Sequence, residues 1–203
     1  PYFDGISFKV IPDPTIQLAN LKAGKIDQLF LSKSRYETVR NDPDINTFVY
    51  PENHVFALRF NLSKGPCQDI RVRKAISHAI DRKAIVQGIL FGIAREASSL
   101  LPGDHWGHNP NIDPIKFDPE LSKKLLKEAG YEDGLTVTGT YSNAPGGLST
   151  AEAIKDMLGK VGITWDVDFL ELGPQTERMK NLEYDLAPLL WVYIWDPDAP
   201  AFG

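Results

Sequence analysis

Ile6, Phe8 and Val10 alternate with Ser7 and Lys9, the period-two pattern of a strand buried on one face. Asp13-Pro14 then predicts a helix start, with an aspartate cap and a proline at the first helical position. Leu18, Ala19 and Leu21 supply its inward stripe and Gly24 its end. A second strand is expected from Ile26 to Leu31, so the opening segment reads β-α-β, a crossover that joins parallel strands.

A short helix is expected around Tyr36 to Asn41, then an extended stretch from Ile45 to Leu62. Asp69 caps a helix with Val72, Ala75, Ile76, Ala79 and Ile80 on one face, and Asp81 caps another with Ile85, Ile89 and Leu90 inward. Residues Leu101 to Lys116, rich in Pro, Gly, Asn and Asp, predict a long ordered loop. Asp118-Pro119-Glu120 opens the next helix, with Leu121, Leu125 and Ala129 inward and Gly130 closing it.

From Leu135 onward the pattern is β-α-β-α-β. Leu135, Val137 and Tyr141 alternate with threonines, and Ser149 with Glu152 forms a capping box for a helix carrying Ile154, Met157, Leu158 and Val161. Ile163, Trp165, Val167 and Phe169 mark a strand, Pro174 opens a short helix, and Asp185 to Trp195 reads as a buried strand. The fold class is α/β, a sheet flanked by helices.

Composition narrows the function classes. The 203 residues, 42% of them hydrophobic and 24% charged, are ordinary for a globular protein with a substantial core. A net charge of −5 with no basic run argues against nucleic acid as a partner. The single cysteine, Cys67, excludes an internal disulfide framework and a multi-cysteine metal site. The longest apolar run, Leu186 to Trp195, is broken by Pro188 and falls well short of the ~20 residues of a membrane span. The abrupt start at Pro1-Tyr2-Phe3-Asp4 and the end just past Asp198 read as cuts inside a larger protein.

Three stretches share a pattern. The first is Phe8 to Thr15 with Leu21-Lys22-Ala23-Gly24-Lys25-Ile26-Asp27. The second is Arg59-Phe60-Asn61 followed by Asp69-Ile70-Arg71-Val72-Arg73-Lys74-Ala75-Ile76-Ser77-His78-Ala79-Ile80-Asp81-Arg82. The third runs from Phe117-Asp118-Pro119-Glu120 through Lys127-Glu128-Ala129-Gly130-Tyr131 to Asp133-Gly134. Together they resemble the oligopeptide-, dipeptide- and nickel-binding proteins, the family 5 extracellular solute-binding proteins of ABC importers. The resemblance implies a periplasmic-binding-protein-like lobe with a mixed sheet. Residues 1–57 would then be the edge of a first lobe, 58–190 the second, ligand-binding lobe, and 191–203 the return through the hinge.

What the resemblance implies is binding without covalent chemistry: two lobes close over a solute and present it to a membrane permease. The protein is then no enzyme, needs no cofactor, works as a monomer, and resides in the periplasm or elsewhere outside the cytoplasm, with a lipid anchor as one means of retention. Arg59 and Asn61 fall in one hinge candidate. Relatives that bind peptides carry an aspartate shortly after the tryptophan of the last strand, where it pairs with the ligand amine. Here an ungapped match from Trp191 puts Ile194 at that place. Either Asp196 or Asp198 takes the role, or the ligand offers no free amine, as an oligosaccharide or a metal chelate would not.

Trp191, Tyr193 and Trp195 share one strand face, so all three line a cleft or all three pack inward; flat aromatic faces suit sugar rings, apolar side chains and ammonium groups. Trp106, in the long polar loop, is a candidate for the cleft rim. Asp104-His105-Trp106-Gly107-His108 holds metal-ligating residue types but reads as a solvated loop, and no metal site is assigned. Arg71, Arg73 and Arg82 read as charges that hold helices together. Ala144-Pro145-Gly146-Gly147-Leu148-Ser149 lacks the Lys-Ser/Thr ending of a phosphate loop and reads as a strand-to-helix connector. The rival class, a small α/β hydrolase, would need a base beside a nucleophile, and the sequence offers no such pair.

Overall fold

The computed structural model describes residues 2–31, 33–49 and 54–192. The chain forms two compact units, Pro1–Tyr50 and Pro51–Gly203.

In the first unit, α1 (Pro14–Lys22) starts where the aspartate-proline pair predicts. Asp13 accepts from the N–H groups of Thr15 (2.7 Å) and Ile16 (3.0 Å), and Gly24 follows the helix at φ 65°. A second helix, α2 (Lys33–Val39), follows; Lys22 pairs with Asp42 at 2.8 Å, and Arg35 donates to Thr15 Oγ1 at 2.8 Å. Neither flanking strand of the expected β-α-β forms among the described residues, and Ile6, Phe8 and Val10 are all exposed. Alternation marks a segment suited to a sheet, but a strand exists only when its N–H and C=O groups meet a neighbour. The α1 stripe is correspondingly weak: Leu18 and Leu21 are half-buried and Ala19 is exposed.

The second unit holds a four-stranded sheet of β1 (His54–Phe60), β2 (Leu135–Ser142), β3 (Ile163–Leu170) and β4 (Leu186–Val192), in the order β1-β4-β2-β3. β2 is parallel to β3 and to β4, with Gly139 opposite Leu186, whereas β1 runs antiparallel to β4 from Phe60↔Leu186 to His54↔Val192. The sheet is therefore mixed, as expected. Three aspartate-capped helices come from the middle of the chain: α3 (Ile70–Ala79, cap Asp69), α4 (Arg82–Gly88, cap Asp81) and α5 (Pro119–Glu128, cap Asp118). α6 (Pro145–Gly159) links β2 to β3, and α7 (Leu172–Lys180) links β3 to β4. Val72, Ala75, Ile76, Leu158, Trp165 and Leu186 form one buried cluster with the inward residues of β2 and α6.

Two local readings need correction. The buried residues of α5 are Ser122 and Leu126, while Leu121, Leu125 and Ala129 are half-buried. Ser122 Oγ donates to the Ala75 carbonyl at 2.8 Å, so a small side chain lets α5 approach α3 and turns the helix by one position from its leucine stripe. α6 starts at Pro145, not at a Ser149 cap. Gly147 explains the early start, because a Cβ there would lie 2.7 Å from the Ser142 carbonyl oxygen.

Residues 93–118 carry neither helix nor strand, as predicted for the long loop. Arg82 secures its end through Nη1, which donates to the carbonyls of Ser77 (3.1 Å), Ile80 (3.3 Å) and Ile115 (3.3 Å). His78 adds a 2.8 Å contact from Nδ1 to the Lys116 carbonyl, and its own carbonyl accepts from Asp118 N at 2.9 Å. Arg71 pairs with Asp69 and reaches the Glu128 carbonyl, and Arg73 donates to the Cys67 and Gln68 carbonyls. These cations hold neighbouring segments together chiefly through main-chain oxygens at helix ends, where a positive charge also opposes the dipole.

Candidate functional site

Consecutive crossovers reverse direction in this sheet. β2-α6-β3 moves outward to one edge, and β3-α7-β4 returns past β2 to its other side. Right-handed crossovers in opposite directions place their helices on opposite faces. The packing agrees: Val137, Tyr141 and Trp165 share a cluster with Ile154 and Leu158 of α6, whereas α7 lies against β2 and β3 and buries Gln175. β2 and β4 are thus neighbours at a topological switch point. In open α/β sheets the usual ligand position is beyond the carboxyl ends of the strands at such a point.

This end of the sheet is built from the end of β4, the connector after β2 and the start of α7. Continuing the parallel register from Gly139↔Leu186 sets Asn143 level with Leu190. Ser142 Oγ accepts from Ala144 N at 3.2 Å and Asn143 N donates to the Leu170 carbonyl at 3.0 Å, which orders the connector. α6 and α7 begin at this edge without a side-chain cap, unlike α1, α3, α4 and α5 with their aspartates. Pro145 and Pro174 carry no N–H, and Gly147 N and Leu148 N already donate to the Ala144 carbonyl (2.8 and 3.0 Å), so the main-chain donors at these starts are Gly146 of α6 and Leu172 and Gly173 of α7.

A cleft of about 490 Å³ lies toward the opposite end of β4. Three of its six charged lining residues are engaged: Arg178 pairs with Asp168, and Asp185 Oδ2 accepts from Thr138 N and Oγ1, each at 2.8 Å. Asn61, 3% exposed, closes this end. Its Nδ2 donates to the Leu182 (3.1 Å) and Tyr184 (2.9 Å) carbonyls, and its Oδ1 accepts from Ser63 N (2.9 Å) and Ser63 Oγ (2.6 Å). Arg59 stands in register with Ala187 and is half-buried, with a buried Nε that has no partner among the described residues.

The remaining sequence candidates fall in different places. Trp191 lies in β4 opposite Val55. Tyr193, Ile194, Trp195, Asp196 and Asp198 lie outside the described residues. Trp106 is 71% exposed in the long loop, and its ring stacks on His105 with centroids 5.7 Å apart. Gly107 N donates to His105 Nδ1 at 3.0 Å, and His108 Nδ1 lies 2.8 Å from the Leu101 carbonyl, so both imidazoles help fold the loop. No group of three or more metal-ligating side chains occurs among the described residues. Sequence reasoning missed Asp185 as a tie between strands, and it missed Phe56 and Leu190, paired across β1 and β4 and both exposed. Phe56 was detectable as an aromatic in the extended stretch, but only the register pairs it with Leu190.

Cys67 is fully buried, and burial first, with the Asp185 charge second, pushes its thiol up to about 12 against the opposing effect of Arg73. Reaction needs the thiolate and access to it. A maleimide at pH 8 is therefore expected to leave Cys67 unlabelled in the native protein and to label it fully in denaturant, as read by intact mass. Fast native labelling would show that the site is open.

The model for bacterial extracellular solute-binding proteins, family 5 Middle, matches residues 1–203. The chain is 29% identical over 199 residues to the dipeptide-binding protein of Escherichia coli, covering 94% of this chain and 37% of that protein. It is 33% identical over 194 residues to Heme-binding protein A of Haemophilus influenzae, covering 93% and 36%. NikZ of Campylobacter jejuni, solved in complex with Ni(L-His), superposes with a TM-score of 0.79 at 29% identity over 96% of this chain and 41% of that one. The chain thus spans little more than a third of the length of these relatives. No helix among the described residues is long and apolar enough to cross a membrane. The match along its whole length makes this chain a member of the bacterial extracellular solute-binding proteins, family 5.

Proposed function

We propose that this chain is the ligand-binding lobe of the substrate-capturing component of an ABC importer, which takes up peptides outside the cytoplasm and hands them to a membrane permease. The observation that carries this reading is the β2/β4 switch point in the strand order, with a few main-chain donors at the starts of α6 and α7 beside it. Main-chain donors match the carbonyl and carboxylate oxygens that every peptide carries. Kinship to the dipeptide-binding protein of Escherichia coli supports the same ligand class.

In this reading residues 1–57 belong to the edge of one lobe, 58–190 form the lobe described above, and 191–203 return through the hinge. Arg59 and Asn61 anchor the hinge end of β1, and Trp191, Tyr193 and Trp195 face the solute. Asp196 or Asp198 meets the ligand amine, and Trp106 stands at the rim. The protein acts as a monomer in the periplasm or elsewhere outside the cytoplasm, with a lipid anchor as one means of retention. An oligosaccharide is the second reading, favoured by Ile194 in the amine-pairing place beside two tryptophans.

Native mass spectrometry of the whole binding protein, purified without refolding, tests this. Bound masses spaced by amino-acid residues are the expected result. Hexose spacing would move the assignment to sugars, and a protein that carries no peptide and takes none from a peptide mixture would overturn it.

A further inference from the structure

The first unit has almost no interior of its own. Val39 is the one buried residue among its described residues, and no residue of α1 is buried. Its large apolar side chains lie instead in the segments that flank α1. Ile6, Phe8 (90%) and Val10 (93%) before the helix and Phe30 after it are exposed. Residues 6–10 and 26–31 also make no main-chain hydrogen bond among the described residues. The two segments nevertheless approach each other at one end, where Lys9 Nζ donates to the Lys25 carbonyl at 2.7 Å, and Gln17 Nε2 ties α1 to the Ile11 carbonyl at 2.6 Å. The helix and turns of a β-α-β unit are in place, and the pairing that would make its flanks strands is not made within the described chain.

We propose that residues 6–10 and 26–31 are a docking surface for the rest of the same protein, which pairs strands with their open edges and lays an apolar layer over Ile6, Phe8 and Val10. Those three share one face of an extended segment, with Ser7 and Lys9 on the other. The chain spans 37% of the dipeptide-binding protein of Escherichia coli, so most of such a protein lies outside it and can supply both strands and cover. A separate partner fits less well. A surface that meets a permease must be folded before the permease arrives, and a unit this small with one buried residue lacks the core to fold alone. Covering the apolar face would also bury main-chain N–H and C=O groups, and only neighbouring strands satisfy those along the whole segment. The inference rests on the reading of residues 1–57 as the edge of a lobe, and not on the identity of the solute.

Hydrogen exchange of the whole binding protein, read by mass spectrometry, tests this. The amides of residues 6–10 and 26–31 are expected to exchange as slowly as those of β2 and β3. Exchange as fast as that of an unpaired loop overturns the proposal. Protection that rises with protein concentration overturns it in favour of a second copy, and protection that needs added permease overturns it in favour of that partner. In the whole protein Phe8→Asp is expected to lower the thermal unfolding temperature by about 5 °C or more, and Ser7→Asp, on the other face, by much less. Equal shifts for the two would overturn the inward face. Native mass spectrometry of the same sample keeps the two readings apart: slow exchange in a protein that takes up no peptide ends the peptide assignment and supports this one.

Discussion

Gly139→Ala is expected to destabilise the second unit by about 3 kcal/mol, at the upper end of overpacking effects. Glycine in a strand interior ordinarily weakens it, so the same change in open surroundings would be neutral or stabilising by about 0.5–1 kcal/mol. The sign is reversed here by two neighbours. A Cβ at Gly139 would collide with Trp165 Nε1 and the Leu186 carbonyl oxygen, and would lie 3.0 Å from Trp165 Cε2. Neither can withdraw. Leu186 O belongs to the strand paired with β2, and Trp165 is fully buried and held edge-on to Tyr141 with ring centroids 5.9 Å apart. Thermal unfolding should show a fall of about 6–12 °C. Gly159→Ala, with no atom within 4 Å of the new Cβ, serves as the control and should change little. A wild-type melting temperature for Gly139→Ala would mean that β2 and β4 separate more readily than their register suggests.

That glycine shows where the sequence stops being informative. Thr138-Gly139-Thr140 sits inside a clean alternation, and nothing local distinguishes a glycine that weakens a strand from one required by a tryptophan on the next strand. Elements specified by neighbouring residues were legible: four aspartate caps, at Asp13, Asp69, Asp81 and Asp118, stand where the residue type and a following proline or apolar stripe predict. Elements specified by distant partners were not. Ile6 to Val10 has the alternation of a strand but no described neighbour to pair with, and α5 turned on Ser122 because of a carbonyl 47 residues away. For the site, the β-α-β-α-β pattern from Leu135 was enough to predict an α/β sheet flanked by helices. The switch point itself follows from strand order, which periodicity does not encode. Phe56 and Leu190 are 134 positions apart in the chain and become one surface only through the β1–β4 register.

Asn61→Asp is expected to cost more stability than Asn61→Ala at neutral pH, although aspartate is nearly isosteric with asparagine. Asn61 is buried where β1 ends and β4 begins, and its amide uses both polarities. Nδ2 donates to two main-chain carbonyls and Oδ1 accepts from Ser63. Truncation to alanine leaves the Leu182 and Tyr184 carbonyls without that donor, a loss of about 2–3 kcal/mol. A carboxylate would instead set a buried negative oxygen between the same two carbonyls, with Asp185 adjacent in the ladder through Asn61 N. The Ser63 donors favour the charged form, but burial and two opposing carbonyl dipoles outweigh them, so the introduced carboxyl should hold its proton to higher pH when folded. A folded-state pKa above the unfolded value of ~3.9 means that stability is fully present below that value and is lost as pH rises through the folded one. Urea midpoints at pH 4 and pH 8 should therefore diverge: the deficit of Asn61→Asp relative to wild type grows with pH, while that of Asn61→Ala stays level. A deficit that is constant or shrinks toward pH 8 would show that the strand junction admits water, and that Asn61 is a surface contact rather than the tie between β1 and β4.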